Sequence, residues 1–222
     1  VADELTIQPP PGVQVLGMTD VAALRVGHKP LDYADTAAAD PAFLIYTSGT
    51  TGQPKGVLHA QRSAWGRRPM YQGWYGIRPD DVILHAGAFN WTYTLGVGLT
   101  DPWANGATAV LYNGPRDVTV WPTLMEKYRA TLFAAVPGLY RQILKYNDLR
   151  AYDLSSLRHG LTAGEALSTA LLEQWRTTTG KALYEALGMS ECSTYISSAP
   201  GEPVKPGSPG KAQPGRCVAA LP

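Results

Sequence analysis

With 222 residues, the chain is long enough to bury a hydrophobic core, as one domain or as two small ones. Apolar residues make up 45% and charged residues 17% of it, the composition of an ordinary globular protein. A formal net charge of +1 argues against nucleic acid or an anionic membrane as a partner captured by charge. No apolar run is long enough to cross a bilayer, so we expect no membrane span.

The cysteines and the termini indicate the setting of the chain. Cys192 and Cys217 are too few for a disulfide framework and lack metal-site spacing, so we expect a reducing, cytoplasmic location. The chain begins with Val1 and stops at Pro222 just after what reads as the start of a strand. We therefore expect a fragment of a longer protein.

The composition changes twice along the chain. Residues 1–40 are poorly periodic and predict a peripheral segment, with a short helix over 21–24 that Asp20 caps. Residues 41–200 alternate strand and helix patterns and predict an α/β core. Residues 201–222 are rich in Pro, Gly and Lys, and we interpret them as a loop and the start of a following β subdomain.

A glycine-rich loop stands at the start of the core. Apolar runs at 42–46 and 57–58 predict two strands, and the connection between them carries Thr47, Ser48, Gly49, Thr50, Thr51, Gly52 and Lys55. Glycines let successive N–H groups face one concavity, while the hydroxyls and the ammonium group add donors and charge. The loop fits neither the Walker nor the Rossmann pattern. A flexible hairpin without function remains the alternative.

The remaining elements alternate. They are, in chain order, a helix over 59–75 ended by Gly76, a strand over 82–85, a helix over 93–103, a strand over 107–112, a helix around 121–128, a strand over 132–135, a helix over 136–144, a strand over 157–161, a helix from the Ser168 cap to Gly180, and a strand over 182–184. This order predicts a mostly parallel sheet flanked by helices, with ligands at the carboxyl ends of its strands.

Single residues outside these patterns carry weaker signals. The four histidines are scattered and lack metal or triad spacing. We interpret Cys192 as a packed thiol, and Arg67 with Arg68 as a solvated helix face.

The run from Thr47 to Gly56 resembles the adenylate-forming enzymes, which include acyl-CoA synthetases, luciferases and peptide-synthetase adenylation domains. It matches their motif Thr-Ser-Gly-Thr-Thr-Gly-x-Pro-Lys-Gly at every position. The resemblance implies that the chain is part of the large α/β domain of such an enzyme. It also implies that Thr47 through Lys55 embrace the β- and γ-phosphates of ATP, with Thr47 and Lys55 catalytic.

Two later segments resemble the nucleotide site of that family. Gly164, Glu165 and Ala166 correspond to a segment that lines the adenine pocket. The run Glu185, Ala186, Leu187, Gly188, Met189, Ser190 and Glu191 is similar to the region of the Tyr-Gly-x-Thr-Glu motif. The resemblance implies that Ser190 touches the α-phosphate and that Glu191 holds Mg²⁺. Leu187 stands in place of the tyrosine, as in some benzoate-type ligases.

Phe89, Asn90 and Trp91 follow a predicted strand where family members line the acyl pocket, together with Gly188. Trp91 matches a tryptophan of acetyl- and medium-chain acyl-CoA synthetases, whereas Asn90 replaces the usual glycine. A core aromatic without a binding role is an equal alternative for Trp91. Other segments resemble benzoate-CoA ligases, so aromatic and medium-chain acids both fit.

The resemblance implies an ATP-dependent acid–thiol ligase with ATP, Mg²⁺ and coenzyme A as cofactors. A carboxylate would attack the α-phosphate to give acyl-AMP, and CoA would then displace AMP. Alternatives are an adenylating domain that loads a carrier protein and a nucleotide-binding module without catalysis; a homodimer stays open. We expect the chain alone to be inactive, because the family's ribose-binding Asp and adenylation Lys would lie beyond Pro222.

Overall fold

The computed structural model describes residues 8–27, 29, 32–47, 52–115 and 117–219. Ser48, Gly49, Thr50 and Thr51 of the glycine-rich loop therefore lie outside the described residues. The chain forms two compact units, 1–36 and 37–222. The predicted domain boundaries at 40 and 200 stay predictions.

The helices and strands of the described residues are numbered here in chain order. They are α1 (Met18–Leu24), β1 (Pro41–Thr47), β2 (Lys55–Ala60), α2 (Arg62–Gly66), β3 (Val82–His85), α3 (Thr92–Leu95), α4 (Asp101–Ala104), β4 (Thr108–Val110), α5 (Val120–Lys127), β5 (Leu132–Ala135), α6 (Pro137–Tyr146), β6 (His159–Ala163), α7 (Thr169–Thr179), β7 (Ala182–Met189), β8 (Ser193–Ser197) and β9 (Lys211–Ala212). Turns of π-helix lie at Tyr71–Tyr75 and Gly96–Thr100, and a 3₁₀ turn lies at Leu149–Ala151.

In the first unit, α1 begins after Gly17, whose N–H donates to the Asp20 carboxylate at 2.8 Å. Asp20 therefore closes the start of the helix from its third position rather than from the cap position predicted for it. A carboxylate in the first turn also faces the positive end of the helix dipole.

Within the described residues, a seven-stranded sheet has the order β4-β3-β5-β6-β7-β8-β9. The strands from β4 through β7 pair in parallel, and β8 and β9 pair antiparallel to their neighbours. A separate antiparallel hairpin is formed by β1 and β2. The predicted α/β fold with a mostly parallel sheet and flanking helices is confirmed.

Helices cover both faces of the sheet, so its central strands are continuous apolar runs. All four residues of β5 are buried. Phe133 and Ala135 pack with Trp175 of α7 on one face, and Leu132 and Ala134 pack with Trp74 on the other. Because both faces are covered, side chains of these strands alternate between two hydrophobic clusters.

The ends of α7 follow local sequence rules. The Ser168 hydroxyl accepts a hydrogen bond from the Leu171 N–H at 3.3 Å, and Gly180 adopts a left-handed conformation with φ of 70°. Side-chain capping and a left-handed glycine satisfy the free backbone groups at the two helix ends. The predicted cap and stop of this helix are confirmed.

The predicted helix over 59–75 is wrong at its start and in its continuity, whereas a helix does form over Arg62–Gly66. His59 belongs to β2, where it pairs with Phe43 and the two rings stack at 4.6 Å. α2 ends at Gly66, before Pro69, and a π-helical turn then runs to the left-handed Gly76. A proline lacks the N–H that a continuous helix needs and disfavours helical geometry in the residue before it.

Two buried histidines make the stability of the fold depend on pH. Burial lowers the pKa of His85 to about 3. Burial is also the largest cause that lowers the pKa of His159, to about 4. The unfolded chain binds these protons near pH 6.5, so the folded state is most stable above that pH. Stability is then lost as the pH falls through the window between about 6.5 and 3.

We expect His85→Met to reduce this loss. Between pH 7 and pH 5 the wild type should lose about 2 kcal/mol more unfolding free energy than the variant, because methionine takes up no proton. Urea unfolding at the two pH values measures the difference. Equal losses in the two proteins would contradict a neutral, buried His85.

No helix among the described residues is long and apolar enough to cross a membrane.

Candidate active site

The loops that follow three parallel strands meet at one edge of the sheet. Gly164, directly after β6, lies against the Trp91 ring from the loop after β3 and against Val136 after β5. In the sheet, β3 lies between β4 and β5. The strand order therefore reverses next to the loop that follows β3. Crevices at such points are where open α/β sheets bind ligands.

The segment expected to follow β7 as a loop is a β-hairpin. β7 continues through Leu187 to Met189 and pairs with β8, so Ser190, Glu191 and Cys192 form the turn. The prediction that the strand stops at Tyr184 is therefore wrong, because β8 supplies hydrogen-bond partners for its extension. No helix starts at Glu191.

Gly188 lies where the two strands of this hairpin approach most closely. A Cβ atom at this position would collide with the carbonyl oxygen of Ser193 and lie 2.6 Å from the Cα of Thr194. The pairing register also shifts between Leu187 and Gly188. Glycine is therefore required for backbone contact across the hairpin.

We expect Gly188→Ala to destabilise the domain by about 1–3 kcal/mol, because the hairpin must open to admit a methyl group. The change should also displace Ser190. Gly66→Ala is the matched control, since a Cβ there meets no atom within 4 Å. Thermal unfolding of both variants checks the expectation, and equal melting temperatures would contradict it.

A cavity of about 760 Å³ lies beside the turn of the β7–β8 hairpin. Ser190, Glu191 and Cys192 line one side of it. Phe43, Leu58, His59 and Ala60 of the β1–β2 hairpin line another. The cavity therefore brings the Ser190–Glu191 turn and the base of the glycine-rich hairpin to one space.

Thr47 and Lys55 lie nearer the tip of that hairpin. They are register partners, and the Thr47 hydroxyl is 3.5 Å from the Lys55 carbonyl oxygen. Lys55 is exposed, and Gly52 has a φ of 78° with open space around it. The described residues thus include both ends of the glycine-rich loop. The phosphate contacts expected of Ser48, Gly49, Thr50 and Thr51 stay predictions.

A second, smaller cavity of about 160 Å³ lies next to the first. Aromatic and aliphatic side chains, with the backbones of Gly164 and Gly188, form much of its wall. Arg67, Thr92, Ser190 and Ser193 line both cavities. The hydroxyl groups of Thr92, Ser190 and Ser193 therefore stand at the junction between the large cavity and the small one.

The prediction that Arg67 lies on a solvated helix face is wrong. Its guanidinium donates to the Asp101 carboxylate, with Nε–Oδ1 at 2.8 Å and Nη2–Oδ2 at 2.6 Å, and to the hydroxyl oxygen of Ser193. Tyr75 OH also donates to Asp101, at 2.8 Å. Although burial opposes its charge, Asp101 keeps the pKa of Arg67 above its ordinary value. Arg68 remains exposed and stacks on Trp65, 4.0 Å from the ring centre.

This network was missed because its charged partners are 34 residues apart in sequence. It links the chain after α2, the start of α4 and the first residue of β8. Since Ser193 has a φ of 64°, an unusual conformation for a residue with a side chain, the hydrogen bond from Arg67 helps to hold that residue in place.

The loop after β6 is tied to β7. The Glu185 carboxylate is buried and accepts a hydrogen bond from the Leu167 N–H at 2.8 Å. Burial raises the pKa of Glu185, and the hydrogen bond from Leu167 opposes that shift. Glu165 and Ala166 are exposed, and Glu165 is 3.6 Å from Arg141. Glu185 thus fixes the loop that carries the proposed adenine-contacting residues.

The predicted acyl-pocket residues differ in position. Trp91 lines the smaller cavity and is 37% exposed, so it is not a fully buried core residue. Phe89 is half-buried, and Asn90 is exposed. Cys192 is exposed, so its interpretation as a packed thiol is wrong. Partial burial still raises the pKa of its thiol, which opposes formation of a thiolate nucleophile there.

A comparison with models of protein families identifies the family of this chain. The model of the AMP-binding enzyme family matches residues 6–220. The chain belongs to the AMP-binding enzyme family. The resemblance noted in the glycine-rich loop is thereby confirmed.

Several relatives of this chain are named as acyl-CoA synthetases or CoA ligases. The chain is 36% identical over 186 residues to the human mitochondrial acyl-coenzyme A synthetase ACSM5, covering 81% of this chain and 31% of that protein. The anthranilate CoA ligase AuaEII, solved with anthranoyl-AMP, has 33% identity and a TM-score of 0.78, covering 84% of this chain and 36% of that one.

A benzoate CoA ligase from Burkholderia xenovorans LB400 has 30% identity and a TM-score of 0.73, covering 82% of this chain and 36% of that one. The AMP-binding chain thus spans about a third of the length of these relatives, and we treat the activity of the whole protein as a proposal.

Proposed function

We propose that the protein containing this chain is an ATP-dependent acid–thiol ligase. It converts a carboxylate and ATP to an acyl-adenylate and pyrophosphate, and then transfers the acyl group to the thiol of coenzyme A. The attacking carboxylate oxygen forms the new bond to the α-phosphorus, and pyrophosphate leaves. The names of the human, anthranilate and benzoate relatives support CoA as the acceptor rather than a carrier protein.

The observation that carries this proposal is the shared wall between the two cavities. The reaction requires a carboxylate to meet the α-phosphate of ATP, and Ser190 lines both spaces. We assign the polyphosphate to the larger cavity, which the base of the glycine-rich hairpin lines, and the acyl group to the smaller one, whose wall includes Trp74, Trp91 and Tyr93. The Ser190 hydroxyl then lies where charge develops in the transition state, the position in which a fixed donor is most effective.

Glu191 fits the proposed contact with Mg²⁺. Its carboxylate is exposed and lines the larger cavity, and the described residues include no partner that forms an ion pair with it. Magnesium binds to one or two carboxylates together with substrate phosphate oxygens, so one glutamate beside a polyphosphate suffices. When bound, the ion would neutralise phosphate charge; Glu191 would hold it near Ser190.

The setting of the reaction is part of the proposal. Cys192 and Cys217 are free and exposed, in keeping with a reducing compartment such as the cytoplasm. Dimerisation and inactivity of the 222 residues alone are further predictions.

Carboxylate-dependent exchange between ATP and pyrophosphate in the intact protein tests the proposal. We expect Lys55→Ala to lower exchange about 100-fold or more, because an ammonium group aimed at phosphate oxygens is lost. Lys205→Ala, which removes an exposed lysine outside the hairpin, should leave exchange unchanged. Undiminished exchange in Lys55→Ala would refute the assignment of the loop.

A further inference from the structure

The segment between α2 and β3 is attached to both ends of β8. The Arg67 guanidinium donates to the hydroxyl oxygen of Ser193 at the start of that strand. At its end, the Ser197 hydroxyl donates to the carbonyl oxygen of Gly73 at 2.6 Å. The position of β8, and therefore of the turn that precedes it, depends on this segment.

Arg67 forms the contact nearest to the turn. Ser193 follows Cys192 directly, so it lies two residues beyond Glu191 and three beyond Ser190. Its φ of 64° is a conformation that few residues other than glycine adopt. Arg67, Ser190 and Ser193 line both cavities. A shift of Ser193 would therefore move the turn relative to both of them.

The other donors of the guanidinium fix it to a buried carboxylate. Nε and Nη2 of Arg67 donate to Asp101 at 2.8 and 2.6 Å, and Nη2 is also 3.3 Å from the Tyr75 hydroxyl. Asp101 and Tyr75 are both buried. Nη1 donates to Ser193 instead. Because a guanidinium is planar and its donors are rigid, fixing one edge to Asp101 fixes the direction of Nη1.

A glycine makes room for this arrangement. A Cβ atom on Gly96 would overlap Nη2 and Cζ of Arg67 and would lie 2.8 Å from Nε. Gly96 begins the π-helical turn Gly96–Thr100, which leads directly into α4 at Asp101. Turns of π-helix are rare and occur frequently at functional sites. The backbone is thus shaped so that the guanidinium can reach both Asp101 and Ser193.

Stability alone gives little reason for a buried ion pair at this position. Apolar side chains of similar volume are often as stable as a buried pair, because desolvation of two charges offsets their attraction. Apolar side chains cannot, however, supply a donor to the Ser193 hydroxyl, which lies at the wall of both cavities. The contact with the turn is therefore the property that distinguishes Arg67 from an apolar core residue.

We propose that Arg67 is a positioning residue for the ligase reaction. Held by Asp101, it keeps Ser193 in its left-handed conformation and thereby fixes the Ser190–Glu191 turn at the junction of the two cavities. This inference rests on the proposed function, since it takes the two residues of that turn to act on the α-phosphate and on Mg²⁺. Arg67 acts through the turn and not on the reacting atoms.

Three variants of the intact protein test the role of Arg67. Ser193→Ala removes the acceptor of the hydrogen bond and leaves the Arg67–Asp101 pair in place. Ser193→Gly also removes the acceptor, but glycine adopts a φ of 64° without strain. The double variant Arg67→Met with Asp101→Leu removes both charges together, so that neither is left buried and unpaired. The control is Arg176→Met with Glu173→Leu, which removes the exposed ion pair of α7.

Two measurements separate positioning from stability. ATP–pyrophosphate exchange with benzoate and with octanoate gives kcat, KM and the Mg²⁺ concentration for half-maximal rate, at temperatures well below each unfolding transition. Hydrogen–deuterium exchange of peptides covering residues 189–193 reports the order of the turn without requiring activity. A loss of stability alone leaves kcat per folded molecule and the Mg²⁺ dependence unchanged.

We expect Ser193→Ala and the double variant to lower kcat about 10- to 100-fold with little change in KM, because misplaced groups act poorly in the transition state. Both should raise the half-maximal Mg²⁺ concentration about 10-fold, as the loss of groups that orient a metal ligand does. Both should also take up deuterium faster over residues 189–193. Ser193→Gly should show smaller changes, and the control should match the wild type.

Wild-type kcat, Mg²⁺ dependence and deuterium uptake in both Ser193→Ala and the double variant would overturn the inference and leave the ligase proposal intact. Losses in Ser193→Gly as large as those in Ser193→Ala would also overturn it, since the conformation of residue 193 would then not matter. Absence of exchange by the wild type with a wider panel of acids would instead overturn the proposed function. Unchanged deuterium uptake would even then exclude Arg67 as the residue that holds the turn.

Discussion

Replacing Asp101 with asparagine should destabilise the domain by about 3–5 kcal/mol. The Arg67 guanidinium is largely buried, and its shortest contacts to Asp101 are 2.6 and 2.8 Å. Without the carboxylate, a positive charge would remain in a site of low polarity with too little compensation. Removal of one partner of a buried ion pair typically costs this much. Chemical denaturation of the intact protein, followed at this domain's transition, measures the change.

The control for this variant is Glu173→Gln. Arg176 and Glu173 also meet at 2.6 Å, but both side chains are exposed on α7. Solvent and salt screen such a pair, so its loss should cost less than about 1 kcal/mol. The two ion pairs have the same shortest N–O distance of 2.6 Å, so the comparison contrasts a buried, multiply bonded pair with an exposed single contact. A similar small effect for both variants would contradict a structural role for the Arg67–Asp101 pair.

The elements predicted correctly are those whose signal is local. β5 reads as the apolar run Leu132–Ala135 because a parallel strand covered on both faces needs apolar residues at every position. α7 carries its start and stop signals at Ser168 and Gly180. The same holds for the ends of the glycine-rich hairpin, whose two apolar flanks are β1 and β2.

The elements predicted incorrectly depend on partners distant in sequence. His59 precedes a segment that does form a helix, α2, but the strand pairing with Phe43 determines the conformation of His59 itself. β8 is a short, partly polar strand, so its pairing with β7, and hence the hairpin turn at Ser190–Glu191, was not evident. Intrinsic helix propensities differ by only a few tenths of a kcal/mol per residue, so strand pairing between distant segments overrides them.

The candidate site shows the same division. Motif residues of the site were recognisable in sequence because each motif is continuous. Arg67 carries no motif, and its role depends on Asp101 and Ser193, which reach it only in the fold. The junction of the two cavities at Ser190 likewise arises from loops after β3, β6 and β7. Sequence reasoning named the chemistry of these loops but could not give the volume they enclose.

The second large effect is expected for Glu191→Gln. If its carboxylate holds Mg²⁺ beside the phosphates, the amide should lower carboxylate-dependent ATP–pyrophosphate exchange about 100-fold or more. The remaining activity should need a higher Mg²⁺ concentration for saturation, because an amide oxygen lacks the negative charge that a hard cation prefers. Exchange rates measured across a Mg²⁺ titration report both effects.

Two further variants separate metal binding from damage to the hairpin. Glu191→Asp keeps the charge on a shorter side chain and should recover part of the activity and of the Mg²⁺ dependence. Glu173→Gln alters an exposed glutamate that lines neither cavity and should match the wild type. A Glu191→Gln protein with the wild-type Mg²⁺ dependence and rate would remove Glu191 from the reaction, and the turn would then contribute through Ser190 alone.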